Sequence, residues 1–134
     1  MCLLRPRLSR PVPLRGTVAA GFPSPADEVL GEVMDLDEFL IRNKEATYLL
    51  QVTGDSMIEA GLLPGDVVFV ERRAQAKDGD IVIAQVDDQG WTMKYFRKRG
   101  GRIFLAPANK KYPVIEPREE LRIVAVVVAA IRKY

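Results

Sequence analysis

From residue 47 onward the apolar positions fall in short runs, set apart by clusters of glycine, proline and aspartate. Tyr48-Leu49-Leu50-Gln51-Val52, Val67 to Glu71, Ile81 to Val86, Trp91 to Arg97 and Ile103 to Leu105 have the length and the β-branched and aromatic content of strands. Leu121 to Ile131, rich in valine, is the longest such run and reads as a central strand. Pro64-Gly65-Asp66, Lys77-Asp78-Gly79-Asp80, Asp87-Asp88-Gln89-Gly90 and Gly100-Gly101 read as turns. One stretch, Asp35 to Asn43, has helical periodicity. Leu36, Phe39 and Leu40 share a face expected to pack on a sheet, Asp35 and Glu38 are spaced as a capping box, and Asn43 is a suitable end. Pro107 to Pro117 follows no regular pattern. Many short strands with closely spaced turns predict a mainly β fold: compact, barrel-like antiparallel sheets with one short helix.

The first 26 residues are different. They hold five of the nine prolines and four arginines, Arg5, Arg7, Arg10 and Arg15, with no acidic residue. Proline at this density opposes helix and favours an extended N-terminal arm. The expected division is an arm over residues 1–26 and a folded domain over 27–134. The arm carries +4, and the remaining 16 basic and 18 acidic residues leave the body at −2. Within the arm, Val18-Ala19-Ala20-Gly21-Phe22 offers small residues in extended backbone, the form protease clefts bind. The same segment also serves as a plain linker.

Composition removes several chemistries. The 134 residues, 48% of them hydrophobic, suit one domain with its own core. Ile123 to Ile131 is far shorter than the roughly 20 apolar residues that span a bilayer. The start, Met1 to Pro6, has no apolar signal core, so a cytoplasmic location is expected. The chain has no histidine and a single cysteine, Cys2. No histidine-dependent triad or internal disulfide is possible, and neither a metal nor a cofactor is expected. A serine nucleophile in this chain needs lysine or a carboxylate as its base.

Thr53-Gly54-Asp55-Ser56-Met57 is the candidate for such a serine. Gly54 permits a tight turn after the strand, and a short helix through Met57 to Ala60 would leave backbone N–H groups beside the hydroxyl. Ordinary turn chemistry explains Gly-Asp-Ser equally well. The candidate base is Lys94, on one strand face with Thr92 and Phe96. Only about one free lysine in two thousand is neutral at pH 7, and a pKa lowered by about 3 units, at a cost of about 4 kcal/mol, makes it a usable base. Burial is one source of that shift; repulsion from Arg97, Lys98 and Arg99 is a second.

Four segments in order carry a resemblance. Ala20-Gly21-Phe22-Pro23-Ser24-Pro25-Ala26 resembles a self-cleavage segment. Ala46-Thr47-Tyr48 leading to Gly54-Asp55-Ser56-Met57 resembles a nucleophile motif. Gly79-Asp80-Ile81-Val82-Ile83-Ala84 resembles the core strand that follows it, and Lys94 stands 38 residues after Ser56. Together they are similar to the LexA/UmuD family of self-cleaving Ser-Lys peptidases, and within it to the UmuD branch, over nearly the whole chain.

The resemblance implies that Ser56 attacks the Ala20–Gly21 peptide with Lys94 as base, and that the N–H groups of Ser56 and Asp55 hold the oxyanion. It implies a homodimer whose cleavage is stimulated by a RecA filament on single-stranded DNA. It also implies a role as a subunit of an error-prone translesion polymerase in the SOS response. The twenty residues before the junction are too few and too proline-rich for a helix-turn-helix, so sequence-specific DNA binding is not expected. The thirteen residues from Ala20 to Val33 span about 40 Å when extended, enough for cleavage in cis or in trans. Four other readings compete: a signal-peptidase-like enzyme, a non-cleaving docking subunit for a polymerase, a repressor-type C-terminal domain lacking its DNA-binding part, and a small DNA-binding β domain.

Overall fold

A long valine-rich strand belongs in the middle of a sheet, and the strand over residues 121–131 sits there. The computed structural model describes residues 11–23, 25, 33–87, 90–118 and 120–134. It divides the chain into two units, Met1–Arg42 and Asn43–Tyr134.

In the first unit, β1 (Val12–Pro13) pairs antiparallel with β2 (Val33–Met34), placing Val12 opposite Met34. Helix α1 (Leu36–Leu40) follows. Asp35 caps it as expected, its carboxylate accepting from the Glu38 N–H at 3.3 Å, but the helix stops short of Asn43, with Ile41 as its C-terminal cap. It buries no residue, and Phe39 is 66% exposed, so its apolar face is not the packed one that the spacing suggested. Arg15, Ala20, Gly21 and Phe22 are exposed, and residues 20–22 form a bend in which Gly21 has φ +138°. Arg5, Arg7 and Arg10 of the basic arm, with Ser24 and Ala26 of the cleavage-like segment, lie outside the described residues.

The second unit is one six-stranded antiparallel sheet. Its strands are β3 (Thr47–Gln51), β4 (Val67–Arg72), β5 (Ile81–Val86), β6 (Trp91–Arg99), β7 (Arg102–Ala106) and β8 (Leu121–Ile131), in the order β3-β4-β8-β5-β6-β7. The mainly β, antiparallel class is the one expected. The ladder is open, ending in edges β3 and β7, and is not closed into a barrel. β8 is central, pairing with β4 on one side and β5 on the other. Register shifts at Phe69/Val70 and at Ile83/Ala84 interrupt both ladders. Such bulges bend a sheet and increase its twist.

Two cores result. One gathers Val52, Met57, Leu62, Val68, Val70, Ile83, Ala108 and Ala125; the other gathers Val82, Ala84, Val86, Phe96, Leu105 and Val126. β5 shows the sorting, with Ile83 in the first cluster and its neighbours Val82 and Ala84 in the second. A strand buried on both sides reads as an apolar run without alternation, as Val67 to Val70 of β4, Ile81 to Ala84 of β5 and Ile123 to Ile131 of β8 do. Each fully buried side chain of the size of Met57, Val70 or Leu105 contributes about 1.5–3 kcal/mol by removal from water.

The loop between β3 and β4 is held from the far end of β8. Arg132 grips Asp66 through both carboxylate oxygens, at 2.8 and 2.7 Å, and donates to the Gly61 carbonyl at 2.8 Å. Asp66 is only 4% exposed, and its carboxylate also accepts from the Leu63 N–H at 2.9 Å. These charge-assisted bonds, the one from Arg132 first, lower its pKa from 3.8 to about 2. A carboxyl whose folded pKa is depressed stabilises the fold fully above its unfolded value and loses that contribution as pH falls through the folded one. Denaturant unfolding across the acid range is expected to show stability declining from pH 3.8 towards about 2. Arg132→Ala is expected to show lower stability at neutral pH and a shallower acid decline, because Asp66 then has less charge-dependent stabilisation to lose.

Candidate active site

The turn after β3 presents a serine because its neighbours are fixed. Gly54 takes a left-handed φ of +77°, which a side chain opposes, and no atom lies within 4 Å of where its Cβ would be. The glycine is therefore needed for backbone conformation, not for space. Two residues on, Ser56 is half-buried while Met57 is 1% exposed in the first core. A single 3-10 turn, Ile58–Ala60, follows, and Gly61 ends it at φ +81°. The short helix expected here is this turn. Burial of Met57 anchors the loop and leaves the serine hydroxyl at the rim of a cleft of about 280 Å³. Leu50, Val52, Met57, Val68, Ile83 and Met93 supply its apolar lining.

Lys94 reaches the serine from β6. It stands opposite Val82 in the ladder and alternates with Thr92 and Phe96. Its side chain is 7% exposed in total. The Nζ lies 3.0 Å from Ser56 Oγ, 2.7 Å from Thr92 Oγ1 and 3.2 Å from the Met93 carbonyl oxygen. All three partners are neutral oxygens, and no carboxylate bonds to the amine among the described residues. Desolvation therefore acts with no opposing charge, and burial lowers the Lys94 pKa below its ordinary 10.5.

The neighbouring cations play no part in that shift: burial is its one cause. The Arg97 guanidinium lies over the Tyr95 ring at 5.1 Å, and the Lys98 backbone is tied to Asp78. A neutral amine has two N–H bonds and one lone pair. The ammonium form donates to all three oxygens; in the neutral form Thr92 Oγ1 and the Met93 carbonyl can take the two N–H bonds while the Ser56 O–H donates to the lone pair. The arrangement can take a proton from a serine hydroxyl.

Of the other expected residues, Asp55 and Ser56 have backbone N–H groups from which no oxygen accepts among the described residues. Ala20 and Gly21 belong to the first unit. No cluster of metal-ligating side chains occurs among the described residues, and no helix there is long and apolar enough to cross a membrane.

The irregular stretch supplies what the pattern did not reveal. Asn109 Nδ2 donates to the Asp55 carbonyl at 2.8 Å, the Ala108 N–H donates to the Ser56 carbonyl at 2.8 Å, and the Tyr112 hydroxyl donates to the Asp55 carboxylate. That carboxylate raises the Tyr112 pKa above its usual value. Thr92 stood on the Lys94 face in the sequence, but nothing there marked its hydroxyl as a partner of the amine. Asn109 sits in no periodic segment, and an Asn-Lys-Lys-Tyr run reads as a surface turn.

With this geometry established, the known proteins can be compared. The sequence profile described as peptidase S24-like matches residues 13–128. The chain belongs to the peptidase S24-like family. Among curated relatives, the LexA repressor of Gluconacetobacter diazotrophicus is 43% identical over 124 residues, covering 92% of this chain and 49% of its own. The LexA repressor of Carboxydothermus hydrogenoformans is 40% identical, covering 92% and 60%. That of Gluconobacter oxydans is 41% identical, covering 92% and 52%. This chain spans about half the length of these S24-like relatives. They carry the LexA name, so the narrower expectation of the UmuD branch gains no support from them.

A buried amine with neutral partners has a measurable cost. Because the folded pKa of Lys94 lies below the unfolded one, the unfolded chain binds more protons between the two values, and stability rises with pH across that window. Below both values the full cost is present. Lys94→Met is expected to raise stability at neutral pH and to remove the alkaline rise, as measured by denaturant unfolding at a series of pH values.

Proposed function

We propose that this chain is a serine peptidase domain of the LexA repressor type that cleaves its own Ala20–Gly21 peptide. The observation that carries this reading is the amine of Lys94, buried among neutral oxygens and 3.0 Å from Ser56 Oγ. Neutral Lys94 takes the hydroxyl proton as Oγ adds to the Ala20 carbonyl carbon. The resulting oxyanion accepts from the N–H groups of Asp55 and Ser56. On collapse the C–N bond breaks, the Lys94 ammonium returns the proton to the Gly21 amine, and Ala20 remains as an ester of Ser56. Lys94 then deprotonates a water molecule, which hydrolyses the ester and restores both groups. Gly21 allows close approach at the junction, and its φ of +138° is one that other residues disfavour.

Within this reading the protein works in the SOS response as a homodimer, and a RecA filament on single-stranded DNA stimulates its cleavage. The loss of a basic arm from an acidic body changes its choice of partner. Membership of the S24-like family and 40–43% identity to LexA repressors support the repressor type. The role of translesion-polymerase subunit rested on the UmuD branch and has no comparable support.

Mass spectrometry after incubation at alkaline pH, with and without a RecA–single-stranded-DNA filament, is expected to show a new amino terminus at Gly21. Ser56→Ala and Lys94→Ala are expected to abolish it. An intact parent chain under every condition overturns the proposal. The rate is expected to rise with pH, with a midpoint below the 10.5 of an ordinary lysine, because only the neutral amine accepts the proton.

Thr92→Val tests the second contact of the amine. The Thr92 hydroxyl accepts from Lys94 and so favours its charged form. Its removal is expected to move the midpoint of the pH–rate curve to still lower pH.

A further inference from the structure

An asparagine that is 7% exposed normally has both ends of its amide satisfied, and Asn109 does. Its Oδ1 accepts from the Lys111 N–H at 3.0 Å, and its Nδ2 donates to the Asp55 carbonyl at 2.8 Å, 54 residues away in the chain. The second bond matters because of what the Asp55 carbonyl belongs to. A trans peptide unit is planar, with its C=O and the following N–H on opposite sides. The Asp55 carbonyl and the Ser56 N–H are two ends of one such unit. Fixing the carbonyl fixes the direction of the N–H.

Next to it, the Ser56 carbonyl is held by the Ala108 N–H at 2.8 Å, and the Glu59 N–H returns to the Ala108 carbonyl at 2.8 Å. The Tyr112 hydroxyl holds the Asp55 carboxylate from the same segment. The one other donor to the Asp55 carbonyl among the described residues is the Ile58 N–H, at a longer 3.4 Å. The grip on the serine peptide unit thus falls mainly to one side chain.

We infer that Asn109 is a positioning residue for cleavage: by holding the Asp55 carbonyl it aims the Ser56 N–H at the oxyanion before the substrate peptide arrives. The inference rests on the self-cleavage reading above. Asn109 touches neither reacting atom and acts through a backbone donor. Its effect therefore appears in the rate of the fully deprotonated enzyme and leaves the proton affinity of Lys94 alone. A donor already in place costs no reorganisation at the moment of reaction, and misplacement by an ångström can cost about 100-fold.

The test compares the full chain with Asn109→Ala, measuring self-cleavage from neutral to alkaline pH and thermal melting of each protein. The expected result is a plateau rate lower by about 10- to 100-fold, with the pH midpoint unmoved and a cooperative melt retained. Asn109→Asp covers the case in which the alanine variant fails to fold. It is isosteric and still accepts from the Lys111 N–H, but its carboxylate has no N–H to donate, and the same loss of plateau rate is expected. A folded Asn109→Ala variant that cleaves within about threefold of the parent overturns the inference and leaves self-cleavage standing. So does a rate loss that comes entirely from a shifted midpoint, since Asn109 would then act on the base. A parent chain that never cleaves overturns the self-cleavage reading itself, and this inference falls with it.

Discussion

The rest of this molecule depends on keeping one amine out of water without giving it a negative partner. A carboxylate beside Lys94 would hold the proton on it, and open solvent would do nearly the same. The fold avoids both. β6 carries the lysine inward beside Phe96, and hydroxyl and carbonyl oxygens take the place of a counter-ion. Such a site opposes folding, because an unpaired buried cation is among the more expensive things a core can hold. The two-sided hydrophobic sheet offsets it. Stability and chemistry are set against each other at one side chain.

The other charged groups show how deliberate that exception is. Asp66, as deeply buried as Lys94, has a guanidinium on both oxygens and a backbone N–H besides. Glu71 has Arg73. The two buried charges therefore have opposite surroundings. The paired one secures the loop that carries Ser56, and the solitary one has its pKa lowered by burial.

Much of this was legible in the residues. The six strands of the second unit came out within one or two positions because β-branched runs and Gly-Asp turns alternate so regularly, and β8 was recognised as central from its valine content. Ser56 and Lys94 were singled out as candidates by the lack of histidine and, above all, by the resemblance of the ordered motifs to a Ser-Lys family, and the sheet brings them within hydrogen-bond distance. Three things were not legible. An open sheet and a barrel have the same strand pattern, since closure depends on pairing between the ends. The apolar face of α1 promised burial that Leu36 and Phe39 do not have. The hold of Asn109 on Asp55 joins residues 54 apart through a backbone atom, and backbone carbonyls leave no mark in a sequence.

The place of β8 has one more consequence, in time. Ser56 adjoins β3 and β4, and Lys94 lies on β6 beyond β5; the strand between these two groups, β8, follows both in sequence. As synthesis proceeds from the amino end, β4 and β5 emerge with facing edges unpaired, and no strand joins the two halves of the sheet until residues 121–131 follow. Ser56 and Lys94 are therefore both synthesised before the strand that links their two halves of the sheet. Vectorial growth of the chain thus delays completion of the sheet, and a nascent fragment that stops before residue 121 carries Ser56 and Lys94 without the strand that joins their two halves of it.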